Sequence, residues 1–141
     1  LPQEAKMEGT MRTLSEEWRA KSKDQIRSIV RNTAEMFGCE GITEIREGYP
    51  VLRNHSEYTK LLKSLAERVF GESRVVDLPI RMTTDDFSYF AQKLPAVYYR
   101  VGVGKKKESD TYGLHTSCFL PDISALETAI RFPLEVIYNL H

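Results

Sequence analysis

The residue type best suited to metal chemistry in this sequence is the histidine at position 115. Imidazole binds zinc, manganese or nickel, and His115 follows a nearly continuous apolar segment, residues 96–103, typical of a strand covered on both faces. Ligands of open α/β sheets bind at the carboxyl ends of such strands. A catalytic metal needs about three protein ligands, and His55 and His141 have no ligand spacing relative to His115. We therefore expect His115 to be one ligand of a site whose other ligands lie outside this chain.

Two adjacent carboxylates, Asp85 and Asp86, fall in the first turn of a predicted helix that begins near Thr84. The helix dipole alone favours acidic residues there, by about 0.3–1 kcal/mol each. The functional interpretation is that one of them orients a metal ligand or a substrate amide.

A serine hydrolase triad is the competing catalytic hypothesis. It would combine Ser88 or Ser117 with His115 and Asp86. The chain has no G-x-S-x-G elbow, so this triad has only its residue types in its favour.

Gly102 and Arg12 are the remaining candidates for substrate contact. The glycines at 102 and 104 end a predicted strand without opening a helix, which excludes a dinucleotide fingerprint. Gly102 either adopts a positive φ or allows close approach of the backbone to a substrate. Arg12 is exposed by strand alternation, and is a surface charge unless a substrate carboxylate faces it.

Composition excludes several classes of partner. The 141 residues contain 20 basic and 20 acidic side chains, so no net field favours nucleic acid or an anionic membrane. No apolar run approaches the roughly 18 residues that span a bilayer. The two cysteines do not form a disulfide framework, and a reducing, cytoplasmic setting is the default expectation.

The hydrophobic periodicity predicts four helices and four strands. Strands are predicted at residues 6–14, 41–49, 74–78 and 96–103, and helices at 13–37, 54–70, 84–94 and 122–137. This order indicates an α/β (α+β) fold, with a domain boundary near residues 50–54. Thr13 and Asn54 are the predicted caps of the first two helices. Pro133 is expected to kink or split the last helix.

Four segments, taken together and in this order, resemble the C-terminal part of the aminoacylase and carboxypeptidase metallopeptidases. They are residues 8–13 (Glu-Gly-Thr-Met-Arg-Thr), residues 48–50 with Asn54, residues 82–89, and Leu114-His115 with Ser117. Within these enzymes the sequence is most similar to the N-acyl-amino-acid amidohydrolases, which include hippurate hydrolase and the plant auxin-conjugate hydrolases.

The resemblance implies a two-domain enzyme whose catalytic α/β domain binds two divalent metals, zinc or else manganese or nickel. A ferredoxin-like lid domain would mediate homodimerisation, and a metal-activated water would attack the amide of an N-acyl amino acid or related peptide. Residues 1–50 would be the second half of the lid, and residues 51–141 the C-terminal segment of the catalytic domain.

The resemblance also implies roles for individual residues. His115 would be a metal ligand, and Asp85 would replace a glutamate near the site. Arg12 would face the substrate carboxylate, and Gly102 would lie along the substrate.

The chain also departs from this family. Asp85 is one methylene shorter than the usual glutamate. The family's His-x-Cys-Gly-His-Asp stretch has no counterpart here, and neither do the Glu-Glu pair and later histidine that with it supply the general base and most metal ligands. We therefore expect this chain to be inactive alone and to bind no metal tightly. The alternative is a small non-catalytic α+β binding or interaction module. That alternative explains the absent ligands but not the order of the four segments.

Overall fold

The computed structural model describes residues 3–104 and 112–139, so the polar segment 105–111 that precedes His115 in the sequence lies outside the described residues. The helices are α1 (Glu16–Met36), α2 (Ser56–Phe70), α3 (Phe87–Lys93) and α4 (Ala125–Asn139), with a short 3-10 turn at Glu72–Arg74. All four predicted helices are confirmed. Among the described residues, no helix is both long enough and apolar enough to cross a membrane.

The first helix begins two residues later than its predicted cap. Ser15, not Thr13, is the cap residue of α1, and its side chain accepts a hydrogen bond from the Trp18 backbone N–H at 3.3 Å. Thr13 instead accepts a hydrogen bond from the Ser15 N–H through its hydroxyl oxygen. Both residue types are good caps, so the sequence alone could not choose between them.

The second helix also has a different cap from the one predicted. His55 caps α2, with its Nδ1 accepting from the Tyr58 N–H. Asn54 is not available for capping because its amide is bonded to Tyr98: its Nδ2 donates to the Tyr98 carbonyl at 2.9 Å, and its Oδ1 accepts from the Tyr98 N–H at 2.8 Å.

The last two helices differ from prediction at one detail each. Helix α3 begins at Phe87 rather than near Thr84. Helix α4 continues through Pro133 as one element, so the predicted split is wrong. The proline removes one backbone hydrogen bond to the carbonyl four residues earlier. The residues on both sides of Pro133 are helical, so the helix continues despite the missing bond.

The four predicted strands do not appear among the described residues. Residues 6–14, 41–49, 74–78 and 96–103 contain no β-strand. The α/β assignment and the ferredoxin-like half-lid are therefore not confirmed. Alternation of apolar and polar residues identifies the two faces of a strand, but a strand forms only when a neighbour supplies its ladder hydrogen bonds. No such neighbour pairs with these four segments in the described part of the chain.

The chain divides into two compact units. Unit 1 combines the residues up to Arg53 with Pro79–Leu94, and unit 2 combines Asn54–Leu78 with the residues from Pro95 onward. Unit 1 therefore contains α1 and α3, and unit 2 contains α2 and α4. The division into residues 1–50 and 51–141 stays a prediction.

Unit 2 has a small aromatic core. Leu65 on α2 is 5% exposed and Phe132 on α4 is 7% exposed. The ring of Phe132 lies 5.0 Å from the Tyr99 ring in an edge-to-face arrangement and 6.0 Å from the Phe70 ring. Full burial of a side chain such as Phe132 contributes about 1.5–3 kcal/mol. Its contact with Phe70 is the ring contact that joins α4 to α2.

Unit 1 has no buried apolar side chain among its described residues, and α1 buries none of its side chains. Its fully buried side chain is Ser88, with 0% exposure. Polar contacts in unit 1 position two of the candidate site residues, Arg12 and Asp85.

Candidate functional site

Three of the four segments that carry the resemblance meet in unit 1. The Nη1 of Arg12 donates to the Met82 carbonyl at 2.6 Å, which joins the first segment to the third across 70 residues. The Tyr49 ring lies edge-to-face against the Tyr89 ring with centroids 5.9 Å apart, which joins the second segment to the third. The structure thus brings Arg12 to the segment that carries Asp85.

Arg12 is exposed, as strand alternation predicts, although no strand forms there. Its guanidinium is bound to a backbone carbonyl, so it is more than a solvated surface charge. A guanidinium has five donors in a fixed fork, and one bond to Met82 leaves it capable of binding a carboxylate as well. Its contact with a substrate carboxylate stays a prediction.

Asp85 is half-buried and organises the start of α3. Its Oδ1 accepts from the Phe87 N–H at 2.9 Å. Its backbone carbonyl accepts from the Ser88 hydroxyl at 2.7 Å and from the Ser88 N–H at 3.2 Å. These bonds give Asp85 a structural role that accounts for a carboxylate at this position. Its role beside a metal site stays a prediction.

His115 lies in unit 2, is exposed, and has a left-handed backbone with φ of 67°. Among the described residues it is the one non-glycine with positive φ. The left-handed region costs a side-chain-bearing residue about 1–2 kcal/mol. Residues held there cluster at functional sites, where surrounding contacts maintain the strain. The sequence gives no signal for this conformation except that histidine tolerates it better than most residues.

The turn around His115 is closed by short-range hydrogen bonds. The Thr116 hydroxyl donates to the Gly113 carbonyl at 2.9 Å, and the Phe119 N–H donates to the Thr116 carbonyl at 3.1 Å. The first of these bonds spans His115, and the second closes the turn that follows it.

Gly102 does not have a positive φ, so the conformational explanation for this glycine is wrong. A Cβ at this position would meet no atom within 4 Å. The protein's own packing therefore does not require glycine there. Close approach of a substrate to this backbone stays a prediction.

The candidate metal ligands do not form a metal centre by themselves. Among the described residues, no three His, Cys, Asp or Glu side chains are grouped so that they could hold an ion. Asp85 belongs to unit 1 and His115 to unit 2. Because a catalytic metal needs about three protein ligands, His115 can supply one donor and the rest would have to come from elsewhere.

The structure gives little support to the serine-triad hypothesis. Ser88 is fully buried and its hydroxyl donates to the Asp85 carbonyl, so it is neither accessible nor activated. Ser117 is exposed, and its Oγ lies 3.9 Å from the Cys118 sulfur.

Unit 1 also contains a cavity of about 330 Å³ beside the start of α1. Its lining residues are Leu14, Ser15, Glu16, Val51, Arg53, Ala91 and Gln92. Three of its polar side chains are bonded within the protein. Ser15 caps α1, Glu16 accepts from the Val51 N–H at 2.7 Å, and Arg53 donates to the Leu14 carbonyl at 3.2 Å. None of the predicted site residues lines this cavity.

Comparison with known proteins identifies the class. Residues 12–139 match the peptidase family M20/M25/M40, which is nearly the whole chain, and this chain therefore belongs to that family. The match begins at Arg12 and includes Asp85, Gly102 and His115.

Two curated relatives are the thermostable carboxypeptidases 1 and 2 of Saccharolobus solfataricus. Each is 33% identical to this chain over 129 residues, which is 90% of the chain. The chain spans about a third of their length, 32% in each case. No solved structure matches the chain.

Proposed function

We propose that this chain is the C-terminal part of a metal-dependent amidohydrolase of the M20/M25/M40 family. The observation that carries the proposal is the family match over residues 12–139. The four segments in the family's order support it. Peptidases of this family are generally dependent on divalent metals, and two curated relatives of this chain are carboxypeptidases.

The proposed substrate is an N-acyl amino acid or a related peptide. The similarity of residues 8–13 and 82–89 to the hippurate and auxin-conjugate hydrolases favours an N-acyl amino acid. The two carboxypeptidase relatives favour a peptide with a free carboxyl terminus. Both substrates carry an amide next to a carboxylate, and Arg12 is the cation of this chain that we assign to that carboxylate.

Each candidate residue has a defined part in this proposal. Two divalent metals, zinc or else manganese or nickel, would supply Lewis-acid chemistry when bound, and His115 contributes one donor nitrogen to them. The general base and the remaining ligands belong to parts of the enzyme outside this chain. Gly102 lies along the substrate, Asp85 supports the site, and a homodimer forms through the lid domain.

The first test uses the protein expressed from its complete coding region. We expect it to hydrolyse N-benzoyl or N-acetyl amino acids or dipeptides, to lose activity on chelation, and to regain it with zinc or manganese. His115→Ala should lower kcat/KM by at least about 100-fold, because loss of outer-shell partners alone costs 10–100-fold.

The matched control is His55→Asn. Asparagine can replace the capping role of His55, so this variant should keep its activity while His115→Ala loses it. Equal activity of His115→Ala and the parent would contradict the ligand assignment. A full-length protein that retains no metal through dialysis and hydrolyses none of these amides would overturn the proposal in favour of a binding module.

Two further expectations concern the isolated chain and assembly. The purified 141-residue chain should hydrolyse none of these substrates, and steady turnover by it would show that the missing ligands are not required. The full-length protein should sediment as a dimer at concentrations where its activity is measured. A concentration-independent monomer would contradict the lid-mediated homodimer.

A further inference from the structure

The turn that contains His115 has a backbone conformation that residues with a side chain rarely adopt. Residues 114 and 115 form the centre of a turn that begins at Gly113 and ends at Thr116. The φ of His115, the third residue of this turn, is 67°. Turns that need a positive φ at the third residue usually have glycine or asparagine there. A histidine at this position therefore needs contacts that hold the backbone in place.

The side chain of Thr116 provides such a contact. Its hydroxyl donates to the Gly113 carbonyl at 2.9 Å, so this bond closes the turn directly around His115. The Thr116 carbonyl accepts from the Phe119 N–H at 3.1 Å, which forms a second turn. Thr116 therefore connects the turn that contains His115 to the turn that follows it.

The residues after the second turn are attached to the rest of unit 2. The Asp122 N–H donates to the Val103 carbonyl at 2.9 Å. The Asp122 Oδ1 accepts from the Ser124 N–H at 2.9 Å, just before α4 begins. Val103 directly follows Gly102 in the sequence. The chain is thus anchored shortly after His115 to the segment that carries the other candidate site residue of unit 2.

We propose that Thr116 is a positioning residue for His115, whose hydroxyl holds the imidazole in the direction that metal binding requires. Without this bond the turn would relax towards the negative φ that residues with a side chain prefer, and the His115 Cβ would point elsewhere. A zinc–nitrogen bond is about 2.0–2.1 Å long, and ligands held loosely by their surroundings do not meet such a distance. This inference rests on the proposed function. It adds to it a residue that contacts neither metal nor substrate.

Zinc affinity of the full-length protein tests the proposal without measuring activity. The protein is stripped of metal, and zinc is returned in competition with a chromogenic chelator. Thr116→Val removes the hydroxyl but keeps the size and branching of the side chain, whereas Thr116→Ser keeps the hydroxyl. We expect Thr116→Val to lower zinc affinity about 10–100-fold, the usual cost of losing a group that orients a metal ligand. Thr116→Ser should bind zinc nearly as tightly as the parent.

Thr59→Val is the matched control. The Thr59 hydroxyl also donates to a backbone carbonyl of unit 2, that of His55, at 2.8 Å. The same substitution therefore removes the same kind of hydrogen bond in α2, away from the His115 turn. We expect the zinc affinity of Thr59→Val to equal that of the parent.

Folding of the variants is checked by thermal unfolding. Thr116 is exposed, so Thr116→Val should change the melting temperature of the full-length protein by no more than a few degrees. Thr116→Ala is a second variant that removes the hydroxyl, in case valine is not accommodated in the turn.

A double-mutant cycle shows whether Thr116 acts through His115. In a His115→Ala background there is no imidazole to orient, so Thr116→Val should cause no further loss of zinc affinity. A residue with a general structural role would lower zinc affinity by a similar factor in both backgrounds.

The outcomes separate this inference from the proposed function. A loss of zinc affinity in His115→Ala but not in Thr116→Val or Thr116→Ala would overturn the inference and leave the proposed function intact. A further loss from Thr116→Val in the His115→Ala background, or a Thr116→Ser variant as weak as Thr116→Val, would also overturn the inference alone. Unchanged zinc affinity in His115→Ala would refute the ligand assignment and this inference with it.

Discussion

The helices α1 and α4 form for different reasons. Helix α1 is 21 residues long and buries none of its side chains, whereas α4 is 15 residues long and buries Phe132 against two other aromatic rings. Length and apolar content therefore do not determine which helix contributes to a core. The position of one aromatic side chain relative to a neighbouring helix does.

Local interactions account for α1. Ser15 caps it, Glu16 and Glu17 lie in its first turn, and three ion pairs connect residues three or four apart along it. These pairs are Glu16–Arg19, Glu17–Lys21 and Asp24–Arg27. Each exposed pair of this kind contributes about 0.3–0.5 kcal/mol. Helix α1 is thus stabilised by many small terms, and α4 by one large one.

Removal of the Phe132 side chain should have the largest effect on stability. Phe132→Ala removes the ring that packs on Tyr99 and Phe70, and buried Phe→Ala substitutions cost about 3–5 kcal/mol. We expect loss of the cooperative unfolding of unit 2, or a lower urea midpoint, measured by circular dichroism and tyrosine fluorescence.

Trp18→Ala on α1 is the matched comparison. Trp18 is an aromatic residue of greater size but 61% exposed, so its removal should change stability by no more than about 0.5 kcal/mol. A larger loss for Trp18→Ala than for Phe132→Ala would reverse the comparison and place the main core on α1.

The sequence predicted the helices well because their signal is contained within each helix. Apolar residues three and four positions apart identify a helical face whether or not that face is covered, so α1 and α4 were both found. The caps were missed by one or two residues, since Ser15 and Thr13 are chemically equivalent candidates. The strand predictions were not confirmed because a strand needs a neighbouring strand for its hydrogen bonds. The pattern of residues 96–103 does not specify that neighbour.

The sequence named the candidate site residues but did not predict their geometry. The sequence singled out Arg12 and His115, but the bond from Arg12 to the Met82 carbonyl joins residues 70 positions apart and has no local signal. The left-handed backbone of His115 lies within a turn spanned by the Thr116–Gly113 hydrogen bond, which the sequence does not specify. For Gly102 the sequence offered two explanations, and the backbone angle removed one of them.

The Asn54 amide should have the second largest effect. Asn54→Ala removes both hydrogen bonds to Tyr98, the residue before Tyr99, which packs on Phe132. At about 0.5–1.5 kcal/mol net per bond, the expected loss is about 1–2 kcal/mol in urea unfolding.

Asn54→Asp sharpens the interpretation of this result. The carboxylate still accepts from the Tyr98 N–H, but its second oxygen faces the Tyr98 carbonyl in place of a donor. We expect this variant to be at least as destabilised as Asn54→Ala at pH 7. An Asn54→Asp variant with unchanged stability would show that the paired hydrogen bonds do not form in solution.

The cap of α1 should have a smaller effect. Ser15→Ala removes the acceptor for the Trp18 N–H, and loss of such a cap costs about 1 kcal/mol. Because α1 buries no side chain, the loss should appear as reduced ellipticity at 222 nm and faster hydrogen exchange in its first turn. Thr13→Ala is the comparison: it removes only the hydroxyl bonded to the Ser15 backbone and should change both less than Ser15→Ala does. A larger effect from Thr13→Ala would restore the cap predicted from the sequence.

The smallest effect should come from the ion pair between Lys23 on α1 and Glu47 in the segment that follows it. The pKa of the Glu47 carboxyl is lowered from its ordinary value of 4.5, first by the hydrogen bond from Lys23 and then by the Lys23 charge, with smaller contributions from Arg19 and Arg27. A carboxyl with a lowered pKa stabilises the folded state above its unfolded pKa, and this contribution is lost as the pH falls through its folded pKa.

Lys23→Gln should therefore raise the pKa of Glu47 part of the way towards 4.5 in a carbon-detected NMR titration. The change in melting temperature should be confined to low salt, because the pair is exposed and screened. Lys21→Gln removes a charge from the same helix and should leave the pKa of Glu47 in place. An unchanged pKa of Glu47 in Lys23→Gln would mean that this ion pair does not connect α1 to the segment that follows it. Helix α1 would then depend on interactions within the helix even more than the comparison with α4 indicates.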